Sequence, residues 1–213
     1  MTQKDFNRFT WGIFAVSILL PLLVWATNLS WDFGSVSIYG FFPLLGLVAW
    51  MTMWTHYMTG AVRIRNPKLV KPVHYSRVTG YLVLGCLLLH PGLLAYAQNR
   101  NGQGLPPNSY YAYTGDALRL AVMFGILSLL IFLSFEVFNR MKDRRLVRKY
   151  WWAISLSQSL AMVLIFIHGL KLGYSIQDSW FTIVWVIYGL LLLPCFYVIH
   201  RQEFGKTPEK SNE

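Results

Sequence analysis

Long apolar runs separated by short polar segments dominate the chain. Several runs reach about 18 residues or more without Asp, Glu, Lys or Arg, enough for a helix to cross a hydrocarbon layer about 30 Å thick. Only helices and closed barrels satisfy their backbone hydrogen bonds in lipid, and runs of this length favour helices. We therefore predict an all-α integral membrane protein, a bundle of six transmembrane helices. The predicted spans are residues 9–28, 36–62, 78–98, 117–138, 151–173 and 180–199.

Composition supports this class of protein. The 213 residues are 55% hydrophobic and only 13% charged, which excludes an ordinary water-soluble domain. Six spans leave no room for an independent soluble domain, so residues 1–213 are predicted to form one transmembrane domain, ending in a short polar cytoplasmic tail at 201–213. Both cysteines, Cys86 and Cys195, lie in apolar runs, which argues against a disulfide framework and a cysteine zinc site.

The net charge of +10 has a topological meaning. Sixteen of the 19 Lys and Arg residues precede the first span, follow the sixth, or fill the loops after the second and fourth. This asymmetry predicts that both termini are cytoplasmic. Because the basic residues are spread over short loops, they indicate membrane lipid as the partner and not a nucleic acid.

Two histidines lie inside otherwise apolar spans, where ionisable residues are costly and commonly functional. His90 and His168 fall in the third and fifth spans, which run in the same direction, so both can lie at comparable depth in the outer half. Two imidazoles facing each other could serve as axial ligands of a low-spin haem iron. The side chains of Gly80, Val83, Cys86 and Ala97 lie at helical spacing from His90 and are small enough to leave room for a porphyrin. Small residues and a buried histidine also serve plain helix packing.

Basic residues are scarce on the outer side. Arg100, Arg119 and Lys171 are the ones placed there, and one or more could pair with haem propionates directed outward. Solvation at the surface is the alternative for each of them.

The stretches 76–80 (SRVTG) and 87–91 (LLLHP), and the basic segment 144–151 (RRLVRKYW) that leads to His168, resemble the ferric-reductase-like transmembrane domain family. This family includes NADPH oxidases and the haem-binding membrane subunit of bacterial periplasmic methionine sulfoxide reductase systems. The resemblance implies a b-type haem held by His90 and His168, a place in a bacterial cytoplasmic (inner) membrane, and electron transfer towards the outer face.

The chain departs from the family's two-haem pattern. The upstream ligand positions correspond to Ser76 or Arg77 and to Ser155, none of which can ligate iron, so one haem per chain is expected. No glycine-rich nucleotide loop occurs, so a separate cytoplasmic reductase or the quinol pool is expected to donate electrons. The expected acceptor is a periplasmic or extracellular protein, ferric iron or dioxygen. We predict an oxidoreductase component without catalytic residues of its own.

A polar stripe on the inner half of the second span, Thr52, Thr55, His56 and Thr59, suggests a further site. Serines and Gln158 of the fifth span lie at similar depth. Such a pocket could hold a quinone, a flavin, or a second haem that uses His56, but the same side chains also satisfy hydrogen bonds between helices.

Two other functions are compatible with the sequence. One is a quinol-oxidising cytochrome b subunit unrelated to ferric reductases. The other is a haem-free transporter or assembly factor, although the spans lack the acidic residues and paired broken helices expected of a carrier.

Overall fold

The protein is described by a computed structural model over residues 1–34, 36–177 and 179–204, without the side chains of 203 and 204. These residues are largely helical and contain no strand. Six helices are long and apolar enough to cross a membrane, which confirms the predicted all-α class and the number of spans. The helices are α1 (Gln3–Asn28), α2 (Ile38–Arg65), α3 (Val73–Arg100), α4 (Asn108–Thr114), α5 (Arg119–Arg140), α6 (Arg145–Lys149), α7 (Trp151–Leu172) and α8 (Phe181–Phe204), with a 3-10 turn at Asp116–Leu118 before α5.

Several helices extend beyond the predicted spans. Helix α1 begins at Gln3 because Thr2 and Asp5 form a capping box, in which each side chain bonds the other residue's backbone N–H. Helix α8 continues to Phe204, so the predicted tail 201–213 begins inside a helix, and its remainder, 205–213, lies outside the described residues. Hydropathy marks where lipid contact ends, whereas capping and hydrogen bonding decide where a helix ends.

Helix α2 is the centre of the bundle. It packs against α1, α3 and α8, and it is the most buried of the six long helices. Its Trp50 is 1% exposed, lies 4.1 Å from Trp185 of α8 between ring centroids, and donates its indole N–H to the carbonyl of Met162 in α7. These contacts join three helices at one side chain.

Close approach of α7 and α8 depends on two glycines. A Cβ at Gly169 would lie 2.6 Å from the Trp185 ring, and one at Gly189 would lie 2.4 Å from the Phe166 ring. Small residues at helix crossings let aromatic rings pack directly on the neighbouring backbone. Gly169 follows His168, so this contact fixes α8 beside a candidate ligand.

Helices α2 and α3 form one closely packed pair, and α5 and α7 form another. Within the described residues, α3 and α7 have no comparable contact with each other. The two helices that carry the candidate ligands therefore belong to different helix pairs.

Candidate functional site: a pair of intramembrane histidines

His90 is held by helix α2. Its Nδ1 lies 2.8 Å from the carbonyl oxygen of Phe42, and its ring lies against Gly46, where an added Cβ would be 2.9 Å from Cε1. The absence of a side chain at Gly46 thus lets the imidazole pack on the backbone of α2.

His168 is held by helix α5 in the same way. Its Nδ1 lies 2.8 Å from the carbonyl oxygen of Ala121, and an added Cβ at Gly125 would be 2.6 Å from Cε1 and Nδ1. In both cases the accepting carbonyl is four residues before the glycine. One local arrangement therefore occurs twice, in two helix pairs.

These hydrogen bonds fix the chemistry of both rings. A carbonyl oxygen only accepts, so Nδ1 must carry the proton and donate it. In a neutral imidazole the lone pair then lies on Nε2, the nitrogen that remains available to a metal. A backbone carbonyl on the remote nitrogen is also the usual partner of a metal-bound histidine.

The two rings form a pair. Their centroids are 6.5 Å apart and their planes cross at 81°. An imidazole nitrogen lies roughly 1.1 Å from its ring centroid and a metal–nitrogen bond is about 2 Å long, so two rings on opposite sides of one metal have centroids about 6.2 Å apart. The observed separation of the ring centroids is close to this value.

Two imidazoles alone do not make a protein metal cage, and the described residues contain no cluster of three or more His, Cys, Asp or Glu side chains. A haem needs only axial ligands from the protein, since the porphyrin supplies the other four nitrogens. His90 and His168, each with Nε2 available, are the two side chains that would hold such a group.

Residues around this pair include some that sequence reasoning missed. The rings are held by Gly46, Gly125 and the carbonyls of Phe42 and Ala121. The sequence feature that could have indicated these residues is a glycine in each neighbouring span at the depth of the histidine. Of the small residues expected to leave room beside His90, Cys86 instead packs against α2, in a buried cluster with Leu44, Val48 and Ala49.

The outer basic residues are not in contact with the histidines. Arg119 lies 4.6 Å from the centroid of the Tyr111 ring and 4.0 Å from Asp116, and both members of that ion pair are largely exposed. By helical rise, Lys171 lies about 4.5 Å and Arg100 about 15 Å further along their helices than the histidines. Of the two that share a helix with a histidine, Lys171 is thus closer to its histidine than Arg100 is.

Helix α4 packs against α3 and α5, and its Tyr113 contacts the first turns of α2. The Tyr110 hydroxyl donates to the carbonyl of Pro91, the residue after His90. Burial raises the pKa of Tyr110, which keeps the phenol protonated as a donor. The ring of Phe42, whose carbonyl holds His90, lies between His90 and Tyr113.

The predicted inner stripe forms a hydrogen-bonded group between α2 and α3. Thr79 donates its hydroxyl proton to the Tyr75 carbonyl, so its oxygen must accept at the other contact, 2.9 Å away, from His56 Nε2. Thr55 likewise donates to the Thr52 carbonyl and accepts from the Tyr75 hydroxyl. Half-buried His56 is therefore left with Nδ1 as a hydrogen-bond acceptor.

The serines of α7 do not join this group. Ser159 lies 2.9 Å from His200 Nε2 and 3.4 Å from the Tyr57 hydroxyl, on a different side of α2. The single inner pocket suggested by the sequence is thus two separate polar clusters. In the described part of the chain, His90 and His168 are the imidazoles whose rings pair with each other, and His56 instead packs near Tyr75.

No family model matches this chain, and no curated protein or solved structure matches it either.

Proposed function

We propose that the protein is a b-type haem membrane protein that carries electrons across the membrane towards an acceptor on the outer face. The observation that supports this most is the His90–His168 pair, with both Nδ1 atoms bound to carbonyls and ring centroids 6.5 Å apart. The resemblance to the ferric-reductase-like domain is consistent with it.

When bound, a haem supplies a one-electron carrier. The polypeptide supplies the rest. His90 and His168 would hold the iron from both of its open sides, and that arrangement would favour electron transfer over binding of a small substrate at the iron. The Phe42 and Ala121 carbonyls make each ligand more electron-rich, and the surrounding apolar helices keep water out. Lys171 and Arg119 are the candidates to neutralise outward-directed propionates, and Arg100 lies further out.

Basic loops support the proposed orientation, with both termini and the α5–α7 connection on the cytoplasmic side. Resemblance to the bacterial subunit supports a cytoplasmic (inner) membrane. The histidines then lie in the outer half, towards a protein acceptor, ferric iron or dioxygen.

The proposal predicts a spectrum and a stoichiometry. Membranes containing the protein should give a b-type reduced-minus-oxidised spectrum, and purified protein should hold close to one haem per chain, because the described residues form a single opposed imidazole pair. A pyridine haemochrome assay against protein concentration measures the ratio. A ratio near two would contradict the single site, and a ratio near zero would favour the haem-free transporter or assembly factor.

For the electron donor we propose a quinol that docks at His56. Oxidation of a quinol to a quinone releases two electrons, which a single haem would take up one at a time in two successive steps, and two protons. The Nδ1 lone pair of His56 can accept one of these protons, and the other would pass to water on the cytoplasmic side. His56 is ten residues from Gly46 on α2, so it lies about 15 Å from the depth of the paired histidines. In the proposed orientation, a quinol docked at His56 would lie in the inner half of the bundle. A separate cytoplasmic reductase, or a flavin bound near this side, is the alternative.

Two substitutions test this donor site. His56→Phe removes the acceptor, and Thr79→Val removes the hydroxyl that fixes the ring. Each should slow haem reduction by a short-chain quinol by about tenfold, the equivalent of one hydrogen bond, with unchanged haem content and unchanged reduction by dithionite. Ser157→Ala is the control, because its hydroxyl bonds only the Ile154 carbonyl of its own helix. Wild-type rates in both variants would exclude His56 as the quinol contact.

A further inference from the structure

We propose that the two imidazoles are held with crossed planes by four positioning residues: Gly46 and Gly125, and Phe42 and Ala121 through their carbonyls. The crossing sets the electronic state of the bound iron and raises its reduction potential above that expected for parallel rings. The inference rests on the proposed function, since it concerns a haem bound by His90 and His168.

The orientation of a histidine ring must be fixed from outside. Rotation of an imidazole about its last side-chain bond has a broad, shallow energy profile, so the ring's own geometry does not select one plane. Here each ring has two external constraints. A hydrogen bond of 2.8 Å to a carbonyl fixes where Nδ1 lies. The backbone at the glycine, four residues further along the same helix, provides a surface against which the ring lies.

The constraints come from different helices for the two rings. Helix α2 orients His90 and helix α5 orients His168, and the result is an angle of 81° between the ring planes. Neither α2 nor α5 carries a ligand. The crossing angle is therefore a property of how the two helix pairs are arranged.

Crossed planes have a defined electronic consequence. Each imidazole donates π-electron density to the iron d orbital perpendicular to its own ring. Two parallel rings donate to the same iron d orbital and separate its energy from that of the second d orbital. Two crossed rings donate to one d orbital each, so the energies of the two orbitals stay nearly equal. Orbitals of nearly equal energy give a highly anisotropic electron paramagnetic resonance signal from low-spin ferric iron. They also stabilise the oxidised state less than parallel rings do, so the reduction potential is higher. Ligand orientation thus adds to the factors that tune a haem, namely ligand identity, hydrogen bonding and burial.

Electron paramagnetic resonance of the oxidised wild-type protein tests the crossing directly. We expect a single, strongly low-field feature typical of highly anisotropic low-spin iron. A three-line rhombic spectrum, typical of near-parallel imidazoles, would overturn the inference. Haem content measured on the same sample separates the two proposals: a rhombic spectrum with one haem per chain overturns only the crossing, whereas absence of haem overturns the proposed function itself.

Alanine at each glycine tests the positioning role. Gly46→Ala and Gly125→Ala place a methyl group 2.9 Å and 2.6 Å from the imidazole Cε1 atoms, so the rings must turn or shift. We expect the low-field feature to move towards the rhombic form and the midpoint potential to fall. Gly85→Ala, in the histidine-bearing helix α3, is the matched control, because its methyl group meets no atom within 4 Å.

Two other results of the alanine substitutions also test the positioning role of the glycines. Selective loss of haem from the Gly46 and Gly125 variants, with full haem in Gly85→Ala, supports the same contacts. Unchanged spectra and potentials in both variants, at full haem content, would overturn the role of the glycines.

Discussion

Replacing either His90 or His168 with Ala abolishes the b-type spectrum of membranes containing the protein: this is the largest effect we expect. If the proposed function holds, each substitution removes one of the two imidazole nitrogens that would hold the iron, and it leaves a cavity in an apolar region where water is a poor replacement ligand. The measurements are the reduced-minus-oxidised difference spectrum and the haem-to-protein ratio after purification. The ratio should fall from about one to near zero in both variants.

His74→Ala is the control for this experiment. His74 is exposed in the first turn of α3 and its ring lies 6.2 Å from the Trp11 ring, away from the pair. Its removal should leave the spectrum unchanged. A normal spectrum in the His90 or His168 variant would refute that residue as a ligand, and a lost spectrum in the His74 variant would point to a different binding site.

Truncating Trp50 should produce the largest loss of stability. Its ring packs against Trp185 and Phe166, and its N–H bonds the Met162 carbonyl, so Trp50→Ala leaves a large cavity where α2, α7 and α8 meet. We expect the free energy of unfolding to fall by about 3–5 kcal/mol. In a membrane this loss reflects packing more than water exclusion. Unfolding of detergent-solubilised protein, followed by circular dichroism, measures it.

Leu190→Ala provides the comparison. Leu190 is on α8 but 60% exposed, so its truncation should change the free energy of unfolding by less than about 0.5 kcal/mol. Equal destabilisation by the two substitutions would show that the aromatic cluster around Trp50 does not hold the three helices together.

Much of the fold could be predicted from the sequence because lipid imposes a simple rule. A run of apolar residues long enough to cross the bilayer must be a helix, and six such runs were visible. The ends were less predictable: the Thr2–Asp5 capping box and the continuation of α8 to Phe204 depend on local hydrogen bonds that hydropathy does not register. The short helix α4 is likewise set by contacts such as the Tyr110–Pro91 hydrogen bond.

The candidate site was predictable in part. His90 and His168 could be singled out because a lone ionisable residue in lipid is costly, and equal depth followed from counting residues along helices of the same direction. Their partners could not be derived, because backbone carbonyls have no signature in sequence and Gly46 and Gly125 resemble ordinary packing glycines. The division of the inner polar residues into two clusters depends on how α2 is rotated between its neighbours, which the sequence of α2 alone does not reveal.

The buried position of α2 also bears on how the protein reaches its membrane. The most apolar stretch of α2 has the lowest mean hydropathy among the six long helices. The helix also carries four polar side chains, those of Thr52, Thr55, His56 and Thr59. Insertion of a segment into lipid becomes less favourable with each polar side chain, so α2 is the span least able to remain in the bilayer alone. Its stable residence requires shielding by α1, α3 and α8, which makes biogenesis of the bundle a cooperative event among neighbouring segments.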